Sequence, residues 1–294
     1  MPSHEQTYQE ITLLETFEQI LQAYQNKYLR DLTQTRMRVL KTRRYIDGLT
    51  EVFRELKTLH EYQLALDGKP ENETDAQTVT QTATPGSKNG RSLAVLVTGT
   101  QLFTGEINLK IFDQFIDHVQ HRPTDILILG QIGRDLYQQR RLTHVYQYLD
   151  LPEKYLQEND LKTLISYLRP YSNIDIFFGK YLNLTQQSPT ASNVTGQIKV
   201  DLTDPSQIKS LTLYIFEPEL DKILDFFEQQ IFTSLVKQTV NESYLAQIGS
   251  RIFLLEEAAQ KTRTRQEKTQ FELNKLLKQA KNKQQQQQLV AVFG

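Results

Sequence analysis

LAVLVTGTQLFTGEINLKIFDQFIDHVQHRPTDILILG, residues 93–130, decides the fold class because its hydrophobic period changes twice. LAVLVTG (93–99) and DILILG (125–130) are short apolar runs rich in branched residues, suited to buried strands. Between them, EINLKIFDQFIDHVQ places Ile107, Ile111, Phe115 and Val119 on one helical face. Strand, helix and strand at this spacing predict a parallel βαβ unit. Further along, the pattern predicts helices near 131–142 and 152–168. It predicts strands in NIDIFFGKYLNL, GQIKVDL and SLTLYIFEP, with a loop over 185–196. The middle of the chain reads as a small Rossmann-like α/β domain.

Both flanks read differently. From Ser3 to Lys69 there is no proline, and glycine occurs only at Gly48 and, near the end, at Gly68; from Glu219 to Phe293 there is no proline and only Gly249. Leu, Gln, Glu, Lys and Arg dominate, and these are good helix formers. A heptad frame aligns Leu14, Leu21, Tyr28, Leu49 and Leu56 in one row, and Phe17, Tyr24, Tyr45, Val52 and Leu59 in a second. Asp31, Thr35, Arg38 and Thr42 interrupt that seam. In the second flank, Leu220, Leu224, Phe227, Ile231, Leu245, Ile248, Ile252 and Leu255 form a comparable seam. The expectation is an α/β fold flanked by an antiparallel coiled coil of long N- and C-terminal helices, with a bundle of shorter helices as the alternative. The boundaries are an N-terminal helix at 1–68, a linker at 69–91, an α/β domain at 92–216 and a C-terminal helix at 217–294. The linker KPENETDAQTVTQTATPGSKNG owes its assignment to Pro, Gly, Thr, Asn and Gln without aromatics.

Composition narrows the function classes. The 294 residues include no cysteine, which excludes disulfides and thiolate chemistry and suits a reducing compartment. No signal peptide is readable, and no apolar run approaches the roughly 20 residues that cross a bilayer; a soluble, intracellular protein is expected. The net charge of -1 hides two basic segments. Residues 27–44 carry seven basic residues against Asp31, a net of +6, and residues 261–283 carry eight against Glu267 and Glu272, again +6. In an antiparallel pair, these segments are expected to share one region and to need an acidic partner.

Two apparent motifs fail on context. GSKNGRS (86–92) is one residue short of a phosphate loop and has no strand before it. His118 and His121 have a metal-ligand spacing, but no other His or Cys cluster supports them. No catalytic constellation is apparent.

FEPELDKILDFF, starting at Phe216, is similar to the aromatic-Glu-Pro turn that opens the long C-terminal helix in one family, the gamma subunits of rotary F-type ATPases. Glu242, Gly249, Ser250 and Arg251 match that helix's Glu, small pair and Arg, and Ala258 matches an alanine. Phe103, Gly105, Ile107 and Asn108 fit the family's D-R-G-L-C-G-G-L-N element. Asn274-Lys275, Gln279-Ala280 and Leu289-Val290 echo later positions, while Lys41 and Arg43 fit an S-K-x-R near the start. The departures are Thr100-Gln101-Leu102 for Asp-Arg-Gly, and Asn282 to Gln286 for I-T-x-E-L, which loses the Thr and Glu of the family's rotor grip. The resemblance therefore admits a divergent or paralogous type.

This resemblance implies a non-catalytic central-stalk rotor that couples ion-driven rotation to ATP synthesis or hydrolysis on partner subunits. It implies no cofactor, no metal, no nucleic acid and no direct membrane insertion. The implied partners are the alpha and beta subunits, the epsilon subunit and the membrane c-type rotor ring. The implied location is peripheral, on the cytoplasmic face of an energy-coupling membrane. The residues expected to face the alpha/beta ring are Arg36, Arg38, Lys41, Arg43, Arg251, Gln279, Leu289, Val290, Val292 and Phe293. LVAVF at 289–293 is expected to form an apolar bearing. The alternative is a coiled-coil adaptor whose basic segments bind nucleic acid or another acidic partner; an enzymatic α/β domain is a third, weaker reading.

Overall fold

The computed structural model describes residues 4–66, 89–100, 104–152, 154, 156–195 and 217–293, with backbone alone at 61–66 and 289–293. Among the described residues the elements are α1 (His4–Leu66), β1 (Ser92–Val97), α2 (Ile107–Gln120), β2 (Asp125–Leu129), α3 (Gln131–Gln139), β3 (Tyr146–Leu149), α4 (Glu158–Leu168), β4 (Asn173–Tyr181), β5 (Gln187–Asn193) and α5 (Leu220–Phe293). The two end helices are continuous over 63 and 74 residues, so the shorter-helix alternative does not hold. The chain divides into two compact units: Met1–Asp31 with Arg251–Gly294, and Leu32–Ser250.

The larger unit contains a five-stranded sheet in the order β3-β2-β1-β4-β5. The β1, β2, β3 and β4 pairings are parallel, and β5 runs antiparallel to β4. Strand alternation sorts the core into two layers. Ala94, Leu96, Ile126, Ile128 and Phe177 meet Ile107, Ile111, Phe112 and Phe115 of α2. Leu93, Val95, Leu127, Ile174, Ile176 and Phe178 meet Leu164 and Leu168 of α4 and Phe232 and Val236 of α5. Burying each of these large side chains contributes about 1.5–3 kcal/mol before chain entropy is set against it. The strand–helix–strand expectation over 93–130 thus holds, with apolar residues on both faces of its strands.

Two edge strands depart from the expectation. The segment read as a loop over 185–196 contains β5, and β3 was not anticipated. QSPTASN and YQYL lack apolar runs because most of their residues are only half-buried; Pro189 is tolerated there opposite Gly179. The expected strands GQIKVDL and SLTLYIFEP, apart from Glu217 and Pro218, lie outside the described residues, as does most of the 69–91 linker.

The helical seam is also corrected. The row through Leu14, Leu21, Tyr28, Leu49 and Leu56 is half-buried to buried, as expected. The second row is shifted by one residue: Phe17, Tyr24, Tyr45 and Val52 are exposed, whereas Ile11, Val39, Ile46 and Phe53 are buried. In the smaller unit, Glu18 and Gln25 occupy that true row. They can do so because α5 presents Arg263 and Glu256 to them. Seam threonines satisfy their hydroxyls locally: Thr58 donates to the Arg54 carbonyl, Thr262 to Ala258 and Thr269 to Arg265.

Candidate functional site

In the larger unit, α5 enters the place where a doubly wound sheet ordinarily receives a ligand. Strand order reverses about β1, which lies between β2 and β4, and the crevice beyond the strand carboxyl ends is the usual binding position. Here Val240, Ser243, Tyr244 and Gln247 of α5 close over Val97, Thr98, Leu129 and Gly130, leaving about 30 Å³. That volume holds on the order of one water. The Ser243 hydroxyl donates to the Val97 carbonyl at 3.5 Å, Gln247 donates to Ser243 at 3.2 Å, and Ser250 donates to the Thr104 carbonyl at 2.7 Å. Residues 241–250 are buried on every side of the helix, so these polar groups must find protein partners.

Small residues permit that passage. A Cβ at Gly249 would lie 2.8 Å from the Tyr181 ring, and one at Gly179 would lie 3.2 Å from the Ala246 methyl. Gly130, at φ 95°, has no room for a side chain against the Thr98 carbonyl. The Thr98 hydroxyl accepts from the Gly133 backbone N–H at 2.9 Å and donates to the Leu129 carbonyl at 3.1 Å, which joins β1, β2 and α3.

One ion pair joins α1 to α5 inside this unit. Arg43 donates from Nε and Nη2 to Glu242 Oε1 at 3.0 and 2.6 Å, and Gln238 donates to the same oxygen at 3.0 Å. The Glu242 side chain is 8 % exposed and that of Arg43 45 %. Arg43, singled out for a partner surface, pairs with this carboxylate while nearly half of its side chain stays exposed. Arg36 and Lys41 are exposed on α1, and Arg38 is half-buried.

In the smaller unit, Arg251 is 1 % exposed, with its guanidinium 5.6 Å from the Tyr28 ring centre. Its side chain is turned into the helix pair and not toward solvent. Arg263 and Arg265 donate to Glu18 and Glu10 at 2.8 and 2.9 Å, and Lys261 pairs with Glu257. Gln279 is exposed; Leu289, Val290, Val292 and Phe293 lie on α5 with side chains outside the described residues. The expectation that the two basic segments coincide is corrected by this register. Segment 261–265 faces residues 10–18 in the smaller unit, while Arg43 faces Glu242 in the larger. A sign of this was present in the sequence: residues 4–26 hold four glutamates and no Lys or Arg.

His118 does not pair with His121: its Nε2 lies 3.5 Å from Asp175 Oδ2. Among the described residues, no group of three or more His, Cys, Asp or Glu side chains is arranged to hold a metal ion. Burial raises the pKa of Tyr137 and Tyr148 above the ordinary phenol value, with Tyr146 and Asp150 adding respectively to the shift. Burial also raises that of Tyr171, which Tyr167 reinforces by hydrogen bonding.

With this arrangement in view, the chain matches the family model described as ATP synthase over residues 4–284. It belongs to the ATP synthase family. Among curated relatives, it is 22% identical over 175 residues to an ATP synthase gamma chain of Staphylococcus carnosus, covering 56% of this chain and 60% of that one. It is 21% identical over 165 residues to the gamma chain of Symbiobacterium thermophilum, covering 54% and 56%. The chain thus spans somewhat over half the length of these relatives. A solved central stalk and c-ring of the Tetrahymena thermophila mitochondrial ATP synthase contains a chain of the same fold, at TM-score 0.56 and 14% identity, with 81% and 99% covered. The family match includes the α/β domain, which the nucleic-acid adaptor reading left without a purpose. No helix among the described residues is long and apolar enough to cross a membrane.

Proposed function

We propose that this chain is the gamma-type central-stalk subunit of an F-type ATP synthase or ATPase. In this reading, it turns within a ring of alpha and beta subunits, with the α/β domain toward epsilon and a membrane c-ring. The observation that carries the reading is the family match over 4–284, which spans both long helices and the sheet between them. The subunit itself is non-catalytic: α5 occupies the sheet's carboxyl-end crevice, and the chemistry falls to the partners. Its position is peripheral, on the cytoplasmic face of an energy-coupling membrane. Domain bounds of 1–68, 69–91, 92–216 and 217–294 remain the proposed sequence division.

Arg36, Arg38 and Lys41 are proposed to face the ring directly, with Gln279, Leu289, Val290, Val292 and Phe293 farther along α5. Arg43 and Arg251 act from within, by fixing α1 against α5. Coupling arises because each rotor angle contacts the three catalytic sites differently. The test is co-expression with F-type alpha and beta subunits, followed by purification and ATP turnover. An Arg36→Gln, Arg38→Gln, Lys41→Gln variant is expected to lose assembly or to uncouple turnover from rotation. Undiminished assembly and coupling would remove these residues from the proposal, and failure of the unaltered chain to assemble would remove the function.

A further inference from the structure

On the face of the sheet that packs against α5, the two layers meet closely at β4 and part at β5. Phe178 of β4 is buried with Phe232 and Val236 of α5. β5 pairs Thr190 with Phe178 and Ser192 with Ile176, so strand alternation turns both hydroxyl residues to that same face. There they are half-buried, and with Lys180 of β4 they line a cleft of about 400 Å³. Gln238 and Glu242 of α5 and Arg43 of α1 line it as well. The volume falls in the range of small-molecule sites, about 300–1,000 Å³, and apolar Phe178, Val194 and Leu235 share the lining with the polar groups.

The charges in the cleft are only partly used. Glu242 Oε1 accepts from Arg43 Nε, Arg43 Nη2 and Gln238. Among the described residues, Arg43 Nη1 and Glu242 Oε2 carry no hydrogen bond and Lys180 has no ion pair. Arg43 and Glu242 offset one another, so Lys180 leaves the cleft with one surplus positive charge. It therefore presents two cationic donors from different elements and one carboxylate oxygen with room to accept. A phosphate suits the donors, because its tetrahedral oxygens reach groups that lie apart, and charge-assisted hydrogen bonds are the strong ones. The Glu242 carboxylate works against a polyphosphate, since like charge at short range is repulsive, and it favours an occupant that also brings hydroxyl donors.

We propose that this cleft is a binding site for a small phosphate monoester bearing hydroxyl groups. Lys180 and Arg43 Nη1 hold the phosphate, and Glu242 Oε2 accepts from a hydroxyl. The occupant bridges β4, α1 and α5 and so braces the sheet against both helices within the larger unit. The site stands independently of the rotor reading, because every group it uses belongs to that one unit of this chain.

The experiment is calorimetric titration of the full chain with glycerol 3-phosphate, beside sedimentation with phosphatidylcholine vesicles with and without phosphatidic acid. Both probes carry the monoester, and together they separate a free compound from a lipid headgroup as its source. Binding is expected with a Kd on the order of 1 mM or tighter. Lys180→Gln is expected to weaken it about ten-fold or more, the usual loss when a charged hydrogen-bond partner is removed. Lys180 is exposed, so an unchanged urea midpoint verifies that this variant is folded. Thr190→Phe, which fills the cleft from β5, is expected to abolish binding. Heat with glycerol 3-phosphate that both variants diminish supports the site with a free ligand. Sedimentation that requires phosphatidic acid and is lost in both variants, without such heat, supports it with a lipid headgroup. No binding of either probe up to about 10 mM overturns the site. Binding that either variant retains at native strength shows an adventitious anion contact elsewhere and overturns it equally.

Discussion

At the residue scale, the Arg43–Glu242 pair is the most informative contact. Removing Arg43 leaves a nearly buried carboxylate with Gln238 as its remaining hydrogen-bond partner among the described residues, and uncompensated buried charge is costly. Arg43→Ala is expected to destabilise the protein by about 1–3 kcal/mol in urea unfolding, whereas Arg36→Ala, at an exposed position, should change it by about 0.5 kcal/mol or less. Gly249 is similarly decisive. Gly249→Val drives a branched side chain into the Tyr181 ring, and overpacking of this kind costs about 1–3 kcal/mol, measurable by the same titration.

The buried phenols set an alkaline limit. Tyr137 and Tyr171 hold their protons more tightly in the folded chain than in the unfolded chain, where the ordinary value is 10.0. Their contribution is therefore fully present below about pH 10 and declines as pH rises above it, because the unfolded state loses its protons first. Tyr171→Phe is expected to flatten the fall in urea midpoint as pH rises above about 10. A fall as steep as that of the native chain would show that other groups set the limit.

At the scale of elements, the seam separates exposed from structural aromatics. Phe53 is 1 % exposed and Tyr45 52 %, although both lie in heptad rows of apolar character. Phe53→Ala should cost about 3–5 kcal/mol, whereas Tyr45→Ala should cost about 0.5 kcal/mol or less. A large loss from Tyr45→Ala would restore the row that the sequence pattern favours. That pattern found the correct first row, but Phe17 and Tyr24 drew the second row one residue away. Glu18 and Gln25 stand at the real positions, and only the facing residues of α5 reveal why they belong there. The sheet shows the same limit. Its central strands announce themselves because both faces are covered, whereas β3 and β5, each paired on one side among the described residues, carry no comparable signal.

At the scale of the whole molecule, the rotor reading proposes that the apolar residues 289–293 serve assembly. On that proposal, removing 289–294 is expected to weaken the complex with alpha and beta subunits while leaving the thermal midpoint of the isolated chain within about 2 °C. A matching loss in the isolated chain would assign those residues to folding.

Local patterning by itself determined the long end helices, the βαβ unit and the family resemblance, because helix propensity, hydrophobic period and motif spacing are properties of neighbouring residues. Tertiary structure decided which basic residues are already neutralised. Charges at 263 and 265 meet partners at 18 and 10, and Arg43 meets Glu242, across separations that no local pattern encodes. It also decided that Arg251 turns inward and that α5 fills the crevice of the sheet, since both depend on register between distant segments. Register is set by packing against a partner, and that information is distributed over both ends of the chain.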